Sequence, residues 1–184
     1  MTLEQQLEKL AKLGLTLNEG VTIDDLLYSF DREDYEKKPF DLILSMLGSC
    51  VQREPWGRLI SDRVWSFDTE CIYQTGDYAR IVKKLCSLAN KPDLINGLKD
   101  FVDIEEREAW LKYRINGKHY GWTIYVNDDW ADTLTLSYVM DRIESDGFHF
   151  YYKDSGQAMI LFYLHEIAAF QINQLSGNIL QRIT

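Results

Sequence analysis

Leu3, Leu7, Leu10 and Leu13 recur at the spacing of one helical face. Thr2 and Gln5 stand before them in a capping-box pattern and Gly14 follows as a stop, which predicts an amphipathic first helix. Thr22 and Asp25 repeat the start signal ahead of Ile23, Leu26, Leu27 and Phe30, giving a short second helix with acids in its first turn, where the helix dipole favours them. Asp31 to Pro39 is read as a charged loop. The apolar run Phe40 to Leu47, closed by Gly48, predicts a buried helix, although a strand shares that short apolar signature. Pro55, Trp56 and Gly57 mark a turn before a strand around Val64 to Ile72.

In the second half, Tyr78, Ile81, Val82, Leu85, Cys86 and Ala89 lie on one helical face that Asn90 to Pro92 closes, which puts Cys86 in the core. Ala109, Leu111, Tyr113 and Ile115 then alternate with Trp110, Lys112 and Arg114, and Tyr120, Trp122, Ile124 and Val126 alternate after Asn116-Gly117. A tight hairpin is predicted there. A helix follows from about Asp132 to Ser145, burying Leu136, Val139, Met140 and Ile143. Phe148 to Tyr152 and Gln157 to Leu164 make a second hairpin about Asp154 to Gly156, and a last helix uses Ile167, Ala168, Ile172 and Leu175 before Gly177. This order predicts an α+β fold, with a mostly antiparallel sheet built from two hairpins, helices on one face and an amino-terminal helical part. No Pro-, Gly- or Ser-rich linker interrupts residues 1–184, so a single domain is expected.

Composition fits a folded chain, with 46% hydrophobic and 27% charged residues. Three cysteines, Cys50, Cys71 and Cys86, without C-x-x-C spacing, argue against a disulfide framework and a cysteine zinc site. Glu4, Glu8, Lys9 and Lys12 interrupt the first leucines, so these residues are not read as a signal peptide, and no apolar run has spanning length. A cytoplasmic location and no membrane partner are expected.

The net charge of -9 makes a general nucleic-acid binder unexpected and favours a basic protein partner. The charge is also uneven. Residues 21–36, 100–108 and 127–146 carry -5, -4 and -5, so the remaining residues carry +5. Such runs ordinarily are solvated faces. The functional alternative is a steering surface, with Asp103, Glu105, Glu106, Asp128, Asp129 and Asp132 as partner-binding acids and Trp130 as either a packed anchor or a core residue.

Catalytic patterns are fragmentary. His165-Glu166 opens H-E-x-x-H, but Ala169 stands where the second zinc ligand belongs. Asn127 to Asp132 resembles a calcium loop superficially, without its turn glycine or bidentate glutamate, and Asp128 or Asp129 is read instead as the cap of the next helix. His119, His149 and His165 are scattered, and Glu105 and Glu106, adjacent on an extended segment, would point apart. No phosphate-binding glycine loop or nucleophile elbow occurs. No catalytic residue, metal or cofactor is therefore expected. Aromatics reach 13%: Tyr113, Tyr120 and Trp122 share one face of the first hairpin, while Trp110 and Tyr125 share the other, read either as covered by the amino-terminal helices or as an exposed anchor beside acids.

At Leu17-Asn18-Glu19-Gly20-Val21-Thr22-Ile23-Asp24-Asp25-Leu26-Leu27, Glu54-Pro55-Trp56-Gly57-Arg58 and Phe67-Asp68-Thr69-Glu70-Cys71-Ile72, the chain resembles small acidic immunity proteins of bacterial polymorphic toxin systems. The resemblance implies a cytoplasmic protein that binds a cognate Rhs, contact-dependent or type VI secreted toxin domain and occludes its active site. It carries over no binding residue. A secretion chaperone or adaptor for an effector, or a small enzyme with a carboxylate site, is the alternative reading.

Overall fold

The computed structural model describes residues 1–156 and 158–183. In chain order the elements are α1 (Leu3–Lys12), α2 (Ile23–Leu27), α3 (Arg32–Lys37), α4 (Asp41–Met46), β1 (Val64–Asp68), α5 (Asp77–Leu88), β2 (Ile95–Asp103), β3 (Glu108–Ile115), β4 (Lys118–Thr123), α6 (Thr133–Ile143), β5 (Phe148–Ser155), β6 (Ala158–His165), α7 (Glu166–Ser176) and β7 (Gln181–Arg182). The class is α+β, with two antiparallel sheets. The two predicted hairpins thus belong to different sheets, one in each of two compact units, Met1–Phe67 with Asp146–Ile183 and Asp68–Ser145.

In the first unit the strand order is β1-β6-β5-β7. The second predicted hairpin is present, with Phe148 opposite His165 and Ser155 opposite Ala158; Gln157, placed at the start of its return strand, lies outside the described residues. Leu3, Leu10, Leu26, Tyr35, Ile43, Leu47, Phe162 and Ile172 are buried together, each side chain of this kind contributing roughly 1.5–3 kcal/mol on leaving water. The capping box at α1 is formed: Thr2 Oγ1 accepts from the Gln5 N–H at 3.3 Å and Gln5 Oε1 accepts from the Thr2 N–H at 3.2 Å.

Two expectations fail in this unit for identifiable reasons. Asp31 to Pro39 is not a loop, because Arg32–Lys37 is helical around the buried Tyr35. That turn is fixed by distant groups. Gln6, itself fully buried, donates to the Tyr35 carbonyl at 2.9 Å and accepts from the Phe40 N–H at 2.8 Å, while Tyr35 donates to the Leu26 carbonyl at 3.0 Å. Phe30 and Ile167, assigned to buried faces, are exposed: α2 ends before Phe30, and α7 turns Ala169 and Ile172 inward instead.

In the second unit the order is β2-β3-β4. The first predicted hairpin is present, its turn made by Asn116 and Gly117 at φ 48° and 80°, which matches the preference of a primed turn. Ala109, Leu111, Tyr113 and Ile115 are buried on one face of β3, and α5 and α6 bury the side chains expected of them, including Cys86. The strand β2 has no counterpart among the predicted elements. It is held to the start of α5 by Asp100, whose carboxylate accepts the Gly76 and Tyr78 N–H groups at 2.9 and 3.1 Å.

The cap of α6 is Asp132, not Asp128 or Asp129. Asp132 Oδ1 accepts the Leu134 and Thr135 N–H groups at 3.1 and 3.2 Å. Asp128 is held at φ 49°, and the Asp129 carbonyl accepts the Cys71 and Ile72 N–H groups, both at 2.9 Å, which keeps the two residues in the preceding loop. The strand predicted over Val64 to Ile72 stops at Asp68.

Candidate protein-binding surface

Opposed residues of an antiparallel ladder share a face, so the register of β2, β3 and β4 defines the outer face of the three-stranded sheet as a series of rows. Asp103 lies opposite Glu108; the next row on that face is Phe101, Trp110 and Thr123, then Lys99, Lys112 and Gly121, and finally Asn96, Arg114 and His119. One end of this face is acidic, the middle aromatic and the other end basic. Phe101 and Trp110 stack with centroids 6.1 Å apart, and Lys112 Nζ sits 4.5 Å from the Trp110 ring. Lys99, Lys112, Arg114 and His119 are exposed, so the face opposite Tyr113 is open to solvent.

Of the predicted partner residues, Asp103, Glu105 and Glu106 lie at the acidic end. Glu105 and Glu106 are not on an extended segment: Ile104 to Arg107 form the tip of the β2–β3 turn, where the Glu106 N–H donates to Asp103 Oδ1 at 3.0 Å. The chain leaving β4 passes the same end, since the Ile124 N–H donates to the Ala109 carbonyl at 2.9 Å. The loop it enters holds Tyr125, Asp128, Asp129 and Trp130. Tyr125 is 74% exposed and Trp130 38% exposed, so Trp130 is a surface residue rather than a core one. Among the described residues, Glu105, Glu106, Asp128 and Asp129 form no ion pair, which leaves their field directed at solvent.

Asp132 differs from the other acids. Besides capping α6 it accepts from the Tyr125 N–H at 3.2 Å and from the Thr135 hydroxyl at 2.8 Å, and its own N–H donates to the Tyr78 hydroxyl at 2.9 Å. Its oxygens are occupied in shaping the loop, and they fix the backbone of Tyr125 to the start of α6.

The sequence reading missed the pairing of an irregular segment, Thr69 to Tyr73, with the loop that carries Trp130. Glu70 bridges Trp130, the Ala131 N–H donates to the Thr69 carbonyl at 2.7 Å, and Tyr73 is 63% exposed. The Tyr73 hydroxyl is pushed up by desolvation and by the carboxylates of Asp129, Asp68 and Glu70, which places the ring within the same negative field. Burial, aided by Asp68, Asp77 and Asp129 and opposed by Arg80, pushes the Cys71 thiol up to about 11. Such a thiol is a poor nucleophile. The signal available was the acidic phrase Asp68-Thr69-Glu70 beside Tyr73, whose pairing partner lies sixty residues on.

Elsewhere the fragments of catalytic pattern have structural employment. His165 caps α7, its Nδ1 accepting from the Ile167 N–H at 3.3 Å, and it stacks edge-on against Phe148. Burial pushes the Cys86 thiol up to about 11. Among the described residues no group of three or more His, Cys, Asp or Glu side chains could hold a metal ion, and no helix is long and apolar enough to cross a membrane. Known protein families, curated proteins and solved structures contain no match to this chain.

Proposed function

We propose that the protein binds a basic protein partner through the acidic, aromatic end of its three-stranded sheet, and that it neutralises a cognate bacterial toxin domain in the cytoplasm by covering it. The observation that supports this reading is that the Asp103 to Glu108 turn and the chain that leaves β4 toward Tyr125 to Trp130 pass one end of one sheet, two segments in which exposed aromatic rings and carboxylates outnumber the one cation, Arg107. Rings of this kind serve as anchors that exclude water, and surrounding charges accelerate encounter with an opposite charge and reject partners of like charge. The function is binding rather than catalysis. A pull-down from the native strain, made with the wild-type chain and with a chain carrying Glu105→Lys, Glu106→Lys, Asp128→Lys and Asp129→Lys, tests the surface. A partner retained by the first and lost by the second fits the proposal; equal retention by both places the interface elsewhere.

A further inference from the structure

The opposite end of the same outer face has a separate chemistry. In a chain of net charge -9, Lys99, Lys112, Arg114 and His119 occupy two adjacent rows and line one hollow of about 460 Å³ together with Gly97 and Gly121. The two glycines make the hollow. Gly121 places no side chain opposite Lys112, and Gly97, at φ 62° where the β2 register shifts, brings its backbone against the Arg114 guanidinium, so close that a Cβ there would lie 3.1 Å from Arg114 Nε. Among the described residues, Lys99, Lys112, Arg114 and His119 have no acidic partner, and Lys112 Nζ lies over the Trp110 ring.

We infer that this hollow is a binding site for a small diphosphate-bearing ligand. Like-charged side chains directly opposed on a sheet, as Lys99 and Lys112 are, repel one another, and a bound anion removes that cost. The volume lies within the roughly 300–1,000 Å³ usual for small-ligand sites. Arg114 supplies a planar fork suited to two oxygens of one phosphate, and the lysines supply point charges. The two cationic rows are two residues apart along the strands, about 7 Å at the usual rise. A single phosphate engages one row, whereas a diphosphate reaches both. A long polyanion is disfavoured because it must run across Asp103 and Glu108 at the far end of the face, while a short ligand stays beyond about one Debye length, roughly 8 Å, of most of that repulsion.

Titration calorimetry of the full chain with inorganic pyrophosphate tests the site. Saturable binding at one site per chain is expected, weaker by about tenfold or more for the Lys99→Ala, Arg114→Ala double variant, as loss of two charge-assisted contacts implies. Gly121→Val keeps every charge but fills the hollow; an added Cβ there meets only Lys112 Cγ within 4 Å, at 3.8 Å, and in the variant, its fold checked by circular dichroism, binding falls by a similar factor. Glu105→Gln with Glu106→Gln leaves pyrophosphate binding unchanged, and orthophosphate binds more weakly than pyrophosphate. Absence of saturable binding, wild-type affinity in both hollow variants, or binding of a single-stranded oligonucleotide without binding of pyrophosphate overturns the inference.

Discussion

Arg58 holds Asp25 with two nitrogens, at 3.1 and 3.3 Å, and Asp25 is only 2% exposed. Arg53 Nε adds a contact at 2.7 Å and the Thr22 N–H another at 2.9 Å, while Arg58 also donates to the carbonyls of Gly20 and Pro55. What reads in sequence as a helix cap is thus the fastening between the α2 turn and the segment around Trp56. Burial by itself disfavours the charged form, but Arg58, the Thr22 N–H and Arg53 outweigh it and hold the carboxyl well below the usual range.

Removing this carboxylate leaves two arginines without their partner, so Asp25→Ala is expected to destabilise the chain by about 3 kcal/mol, the lower part of the range for broken buried pairs because both guanidiniums keep some solvent. The folded carboxyl is depressed, so its contribution is present above the unfolded value of about 3.9 and is lost as pH falls toward the folded value. Denaturant midpoints of the wild type and Asp25→Ala should therefore differ most at neutral pH and converge at pH values below about 4. A gap that does not change with pH removes the ion pair from the account.

Gly48 is fixed by contact rather than by torsion. A Cβ on it would lie 2.7 Å from the Ser66 nitrogen and 3.1 Å from the Trp65 carbonyl carbon, both backbone, and its own carbonyl accepts the Ser66 N–H at 2.9 Å. Gly48→Ala should cost about 1–3 kcal/mol through displacement of β1, the usual range for overpacking. Thermal melting checks this, and an unchanged transition shows that β1 can shift freely.

Legibility in the sequence followed locality. The Asn116-Gly117 hairpin was readable because turn chemistry and strict alternation lie within eighteen residues of each other, and the faces of α5 and α6 were readable for the same reason. The helix Arg32–Lys37 was not, since Gln6 and Leu26 supply the hydrogen bonds that hold Tyr35. β2 was hidden because Asn96, Gly97, Lys99 and Asp100 break any apolar alternation, and the strand is selected by its pairing with β3. The acidic windows could be found from composition, but the placing of Asp103 opposite Glu108 required that pairing. Lys112 and Arg114 were visible as the polar half of β3; their join with Lys99 and His119 was not.

Cys71 and Cys86 should react slowly with thiol reagents near pH 8, because burial pushes both thiols up to about 11, whereas Cys50 is exposed. Mass spectrometry of briefly alkylated native protein should find the label on Cys50 first. Early labelling of Cys71 contradicts its placement beside Asp68, Asp77 and Asp129.

Association kinetics with the purified partner decide whether the acidic, aromatic end of the three-stranded sheet is the interface. Reversal of Glu105, Glu106, Asp128 and Asp129 is expected to slow association by about tenfold or more at low salt and to flatten its salt dependence, because steering acts over the roughly 8 Å screening length of physiological salt. The fold should be unaffected, since exposed charges add little to stability. Trp130→Ala should instead raise the dissociation rate, as loss of a packed aromatic anchor does. The measurement is the pair of rate constants for each folded variant across a salt series: slower association with a flatter salt dependence for the charge variant and faster dissociation for Trp130→Ala are expected, and wild-type rates in both variants place the interface elsewhere.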